Sequence, residues 1–327
     1  MSDVPPPPDR LYTADDLYAG WDADDPMSTV RTFDFVTYRT ARAQGTRTPS
    51  TREVAEARAA HDVSVTWLLD EAIRGTRPVA IMGGHDLTRS SKEYAMIAGL
   101  SHRLSGNGFT MLSGGGPGAM EATHLGARCA GGDLSLDDAL AVMTTGPDDT
   151  IDAFPFRRAD VLFDATGDVV PAEIARLHAW QAPAFDAAAR TAANPGASIG
   201  IPTWLYGHEP PTPLATSHAK YFENSVREDG LLAVATAGVV FAPGKAGTLQ
   251  EIFQDAAQNY YTTVGDRFSP MVFLDIDGYW STDYQVRAVL ERLFTDDQEL
   301  NLSWVTTIEE AAEVLIAENE SRVGPHT

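Results

Sequence analysis

Three glycine clusters hold the residues of this sequence best suited to chemistry. They are Gly83-Gly84, Gly114-Gly115-Gly116-Pro117-Gly118, and Pro243-Gly244-Lys245-Ala246-Gly247-Thr248. Each follows a short apolar run and precedes a helical pattern. Glycine lets a backbone approach a ligand closely and adopt positive φ. A helix start just beyond adds unpaired N–H groups and a partial positive charge. Several such groups together suit a phosphate, with a single helix-end contact worth roughly 0.3–2 kcal/mol. One cluster alone reads equally well as a tight turn. Three in one sheet point to a bound ligand. None has the G-x-G-x-x-G spacing of a dinucleotide fingerprint, and none is a Walker A loop, G-x-x-x-x-G-K-[ST]. Lys245 lies inside its loop instead of just after it. Dehydrogenase and phosphoryl-transfer chemistry both lose ground on these spacings.

Two charged side chains stand near the third cluster. Thr248-Leu249-Gln250-Glu251 has the form of a capping box. Glu251 then either returns a bond to the helix start or points toward a ligand in the same loop. In the second reading the helix field favours its ionised form. It would serve as a base for water or as a counter-charge to a developing cation. Arg227 falls on the polar side of a helix leading to the same strand. It either bonds phosphate or ribose oxygens or is an ordinary ion-paired arginine. His85 and His208 read as base contacts or as structural histidines, and His208-Glu209-Pro210-Pro211 as a rigid turn.

The elements that carry these residues have a regular order. Pro78–Met82, Phe109–Leu112, Ser198–Trp204, Val239–Ala242, Met271–Asp275 and Trp304–Thr307 read as strands. Between and after them, helices are expected over 90–104, 119–130, 219–229, 248–261, 284–293 and 308–318. Apolar runs closed by glycine suit central parallel strands. Strand, glycine loop and helix in alternation predict an α/β fold, a Rossmann-like doubly wound parallel sheet with flanking helices. Ligands of such sheets bind beyond the C-terminal ends of the strands. Residues 1–75 read as an N-terminal extension with a helix from 50 to 74, and the arm docks on the main body or on a second subunit. The nucleotide-binding domain spans 76–320, and 321–327 form a polar tail. An insertion of about 133–197, mostly helical after Pro171, reads as a lid or a subunit surface.

Composition narrows the partners. The chain has 327 residues, 43% of them hydrophobic, enough for a sizeable core. Lys and Arg number 24 against 46 Asp and Glu, a formal charge of −22. Such a surface repels nucleic acid polymers and anionic membranes, though a local nest of N–H groups still admits a small phosphate. No apolar run approaches the roughly 20 residues of a membrane helix, and Pro5 to Pro8 read as a short polyproline arm, not a secretion signal. The single cysteine, Cys129, reads as buried and unreactive. A cytoplasmic location is expected.

The longer motifs carry a resemblance. Gly114-Gly-Gly-Pro-Gly-Ala-Met-Glu-Ala122 and Pro243-Gly-Lys-Ala-Gly-Thr-Leu-Gln-Glu251 resemble the paired signatures of the Lonely Guy family. Ile81-Met-Gly-Gly-His85 and Gly207-His-Glu-Pro-Pro-Thr-Pro213 look closer to its bacterial pyrimidine/purine nucleotide 5′-monophosphate nucleosidases. The resemblance covers roughly Pro78 to Leu274, with the insertion unmatched. It implies a nucleoside 5′-monophosphate phosphoribohydrolase that releases free base and ribose 5-phosphate, with no cofactor and no metal, as a homodimer or higher homo-oligomer. It assigns Glu251 and Arg227 to catalysis. It assigns Gly114, Gly115, Gly116, Gly118, Glu121, Gly244, Gly247 and Thr248 to the nucleotide and its phosphate, and the glycine clusters read above add Gly83, Gly84, Lys245 and Ala246. The family pattern P-G-G-x-G-T-x-x-E has a second glycine where this chain has Lys245. A side chain there clashes with the phosphate, reshapes the loop or supplies a cation. A nucleotide-binding sensor or carrier without turnover is the alternative it favours. The name "lysine decarboxylase" often given to such proteins has no support here, because that chemistry needs a cofactor aldehyde on a lysine.

Overall fold

Residues 3–145, 151–156, 159–261, 268–294 and 301–323 are described by a computed structural model. Seven parallel strands form one sheet: β1 (Pro78–Met82), β2 (Thr110–Ser113), β3 (Ser198–Gly200), β4 (Ser217–His218), β5 (Gly238–Phe241), β6 (Met271–Leu274) and β7 (Leu302–Val305). Their spatial order is β4-β3-β2-β1-β5-β6-β7. The chain moves outward from β1 to β4, crosses back, and continues outward on the other side from β5. The reversal lies between β1 and β5, with Val79 opposite Gly238 and Met82 opposite Phe241. In doubly wound sheets this switch point opens a crevice at the C-terminal strand ends. The expected fold class is therefore observed.

Eleven α-helices surround the sheet among the described residues: α1 (Ala14–Leu17), α2 (Phe33–Ala43), α3 (Arg52–Ile73), α4 (Lys92–Gly106), α5 (Ala119–Cys129), α6 (Leu136–Met143), α7 (Pro171–Arg190), α8 (Asn224–Val234), α9 (Ala246–Tyr261), α10 (Val286–Leu293) and α11 (Ile308–Val323). Alternation along the buried strands divides the core. Val79, Ile81, Met111, Val240 and Val272 pack under α4, α5 and α11. Ala80, Met82, Leu112, Val239, Phe241 and Phe273 pack on the other face, against α3, α8, α9 and α10. No helix among the described residues is long and apolar enough to cross a membrane.

Several expected boundaries move, for local reasons. Residues 219–223 do not begin a helix. Asp62 on α3 accepts from the N–H groups of Phe222 and Glu223 (3.0 and 2.8 Å), which holds this segment outside a helical ladder. Asn224 then starts α8, with Glu223 as its cap. The last strand ends at Val305, not Thr307. The N–H of Thr306 donates to Glu310 at 2.9 Å and so serves the start of α11. Strand β3 stops at Gly200, four residues short of the expected end at Trp204. Cys129 is buried on α5.

The arm docks on its own chain. Tyr12 exchanges backbone bonds with His218 (3.1 and 2.7 Å). Tyr12, Leu17, Tyr18, Phe35 and Tyr38 join Phe156, Leu162, Ile174, Leu177, Trp180, Trp204 and Phe222 in a third core. The segment expected as a lid or subunit surface thus packs on the arm. Of its expected loop at 144–149, residues 146–149 lie outside the described residues, as do residues 324–327 of the tail.

Candidate functional site

The switch-point crevice is a cavity of about 400 Å³. The loop after β1 supplies Gly83, Gly84, His85 and Asp86, and the loop after β2 supplies Gly114. Arg227 and Glu228 reach it from α8, and Lys245, Ala246, Gly247, Thr248 and Glu251 from the start of α9. Tyr206 and Glu209 close another side. The two charged residues singled out in the sequence, Arg227 and Glu251, therefore meet in one cleft with all three glycine loops.

Arg227 is fixed by its own backbone neighbourhood. Its Nε donates to the Ile201 carbonyl at 2.7 Å, just beyond β3. Its guanidinium lies directly over Gly114: a Cβ at that position would stand 2.0 Å from a terminal nitrogen of Arg227. The absent side chain of the glycine is the space in which the arginine sits. Gly118 has a different reason for being glycine. Its φ of +66° is left-handed, and a Cβ would lie 2.5 Å from the Gly84 carbonyl oxygen. That carbonyl accepts from the N–H of Ala119 at 3.0 Å, joining the first two glycine loops.

Helix α9 begins at Ala246, so Thr248 is its third residue and not its cap. The capping-box reading of Thr248 and Glu251 is thereby corrected. Freed from the cap, Glu251 faces the cleft from the second turn of α9. Burial pushes its carboxyl up to about 7, opposed by the positive charge of Arg227 and reinforced by Glu228. The helix field was expected to keep this group ionised. Desolvation outweighs it, because a dipole end contributes less than removal from water costs a carboxylate. Glu209 is raised in the same direction, mainly by burial, with His85 and Arg227 pulling the other way. Lys245 donates to Asp86 at 2.6 Å, and that bond lowers the Asp86 carboxyl.

The remaining predicted residues stand behind the cleft. Gly115, Gly116 and Gly118 are buried in the second loop, where the Gly115 carbonyl accepts from Thr212 N–H at 2.8 Å. The Gly244 carbonyl accepts from the Tyr279 hydroxyl at 2.5 Å. Glu121 does not line the cleft. It is 1% exposed and receives two bonds from Arg89 at 2.8 and 2.7 Å, plus one from the Tyr94 hydroxyl at 3.0 Å. Of the two histidines, His85 lines the cleft and His208 does not.

Sequence reading missed Glu209, Asp86, Tyr206 and Glu228 as cleft residues. Glu209 lay inside a segment read only as a turn, and Asp86 followed directly after His85. Their position relative to Arg227 and Lys245 is set by the crossover of the sheet, which no local spacing reports.

The fold and cleft define a Rossmann-like α/β protein with a crevice at its switch point. A family model described as "Possible lysine decarboxylase" matches residues 184–317, the segment carrying β3 to β7, Arg227 and Glu251. The matched segment carries the second of the two motifs on which the resemblance rests, Pro243 to Glu251. No curated protein matches the chain. A solved structure described as the X-ray structure of TM1055, a structural-genomics target, is 18% identical and aligns with 74% of this chain and 99% of its own, at a TM-score of 0.44.

Proposed function

We propose that the cleft binds a nucleoside 5′-monophosphate and hydrolyses its N-glycosidic bond. The products are free base and ribose 5-phosphate. The observation that carries this reading is the meeting of Glu251 and Arg227 with the three glycine loops in one cleft at the switch point. Breaking the bond builds positive charge at the anomeric carbon of the ribose. A carboxylate beside the ring stabilises that charge and orients the attacking water, as in sugar hydrolysis. The water oxygen bonds to the anomeric carbon and loses a proton to Glu251. The carbon–nitrogen bond breaks with its electron pair going to the base, which takes up a proton. Glu251 is the group assigned to this work. Arg227, held by Ile201 and seated on Gly114, keeps phosphate or ribose oxygens in a reactive geometry. General acid–base assistance of this type is worth roughly 10²–10⁴-fold.

The carboxyl of Glu251 supports the reading further. A group near 7 gives up and takes back a proton readily at neutral pH, which suits a base that acts on water. The test is incubation of the purified protein with AMP, GMP, IMP, CMP, UMP and an N6-modified AMP, followed by chromatography of free base. Release of base together with ribose 5-phosphate is expected. Nucleotide binding by calorimetry without any release would favour the sensor, the reading that Lys245 in the phosphate loop supports.

A further inference from the structure

The cleft is short of positive charge for an anionic ligand. Four carboxyl groups line it, Asp86, Glu209, Glu228 and Glu251, against two permanent cations, Arg227 and Lys245. Arg227 is committed on one side to the Ile201 carbonyl and sits beside Glu251 and Glu228. Lys245 is the cation with freedom to move. Its side chain is 73% exposed, and its partner Asp86 is 47% exposed. The two come from the two loops that flank the switch point, and they close a 2.6 Å ion pair across it.

An exposed pair of this kind contributes little to the stability of a fold. Breaking it strands no buried charge, so the partner of Lys245 can be exchanged. A lysine ammonium is a compact charge with three donors on a flexible stem, suited to phosphate oxygens from several directions. Asp86 presents to it one carboxylate oxygen, the acceptor chemistry a phosphate would present in its place. We infer that Lys245 recognises the phosphate of the ligand and that Asp86 is its resident competitor, replaced when the phosphate enters. The cation would then compensate for the glycine missing at this place in the loop, and it would make the site selective for phosphorylated over unphosphorylated nucleosides. This rests on the reading of the cleft as a nucleotide site and names the group that selects the phosphate.

The test uses the full chain and ribose 5-phosphate as the probe, with binding followed by calorimetry. Lys245→Met should weaken binding about 10- to 100-fold, the scale of one charge-assisted hydrogen bond. Lys245→Arg should recover most of it. Asp86→Asn should tighten binding several-fold, because the competing carboxylate is gone. Thermal unfolding of the three variants should match the parent, which separates recognition from folding. Equal affinity in the parent and Lys245→Met, or no gain in Asp86→Asn, would overturn the inference, as would a parent that does not bind the probe at millimolar concentration. The two readings fail separately. Binding that depends on Lys245 without release of base contradicts only the hydrolase. Release of base with affinity indifferent to Lys245 contradicts only the phosphate role.

Discussion

Gly114 and Arg227 show how a single missing side chain can define a site. The guanidinium occupies the space a Cβ would need, and the second near contact is the sulfur of Met120. Both neighbours are the ends of flexible side chains, so Gly114→Ala can be accommodated without breaking the sheet. The arginine must give way instead. Gly114→Ala should therefore lower kcat/KM about 10- to 100-fold, since small displacements of positioning groups carry that cost. Its denaturation midpoint should stay near that of the parent. A variant that keeps activity, or one that unfolds, would contradict the placement of Arg227. The pH profile belongs to the same scale. Burial raises Glu251 to about 7, so the group is protonated below that pH and ionised above it. If the carboxylate is the working form, kcat/KM rises with pH through about 7 and levels off above it. The free-enzyme value is the one kcat/KM reports. Activity that falls across this range would assign Glu251 the role of an acid.

Elements explain why some of this was legible in the sequence and some was not. Strands β1, β2, β5 and β6 announce themselves as apolar runs, three of them running directly into the glycine clusters, because central parallel strands are buried on both faces. Strand β4 is two residues long and owes its place to Tyr12 and to its pairing with β3, so no local pattern reveals it. The start of α9 lies two residues ahead of the expected Thr248, and that small shift turns Glu251 from a capping partner into a cleft residue. Glu121 reads locally as part of a nucleotide loop. Its true neighbour, Arg89, comes from the segment between β1 and α4 and also holds the carbonyls of Ile151 and Trp180 (3.3 and 2.8 Å). Arg89 thereby ties α5 to the insertion and α7. Both partners are almost fully buried. Breaking a buried pair from one side leaves the other charge uncompensated, at a cost of about 3–5 kcal/mol. Arg89→Met should lower stability by that order in a denaturant titration. A loss below about 1 kcal/mol, the scale of a surface pair, would show that Glu121 finds another partner.

At the scale of the whole molecule, the N-terminal arm behaves as part of the fold. Lys220 is completely buried next to β4, and its charge is met by Asp34 of α2 at 2.5 Å. Asp34 also accepts from the Trp204 indole at 3.1 Å. Tyr12 meets His61 of α3 at 2.8 Å. Removing residues 1–48 would strand Lys220 and expose Trp204 and Phe222, which pack against the arm. The truncated chain should lose its cooperative unfolding transition and bind hydrophobic dyes, as chains with lost packing do. Cooperative unfolding at the parent's Tm would contradict this role. The net charge of −22 acts at the same scale, since it opposes every anionic ligand at long range. On the proposed reading, affinity for a phosphate must come from local groups, and Arg227, Lys245 and the first turn of α9 line one cleft.

The most direct test of the central claim compares the parent with Glu251→Gln in the release of base from nucleoside monophosphates. The substitution keeps the size of the side chain and removes its ability to ionise, so binding should persist while turnover falls at least about 100-fold. Equal rates of release by the two folded proteins would remove Glu251 from the chemistry and contradict the account.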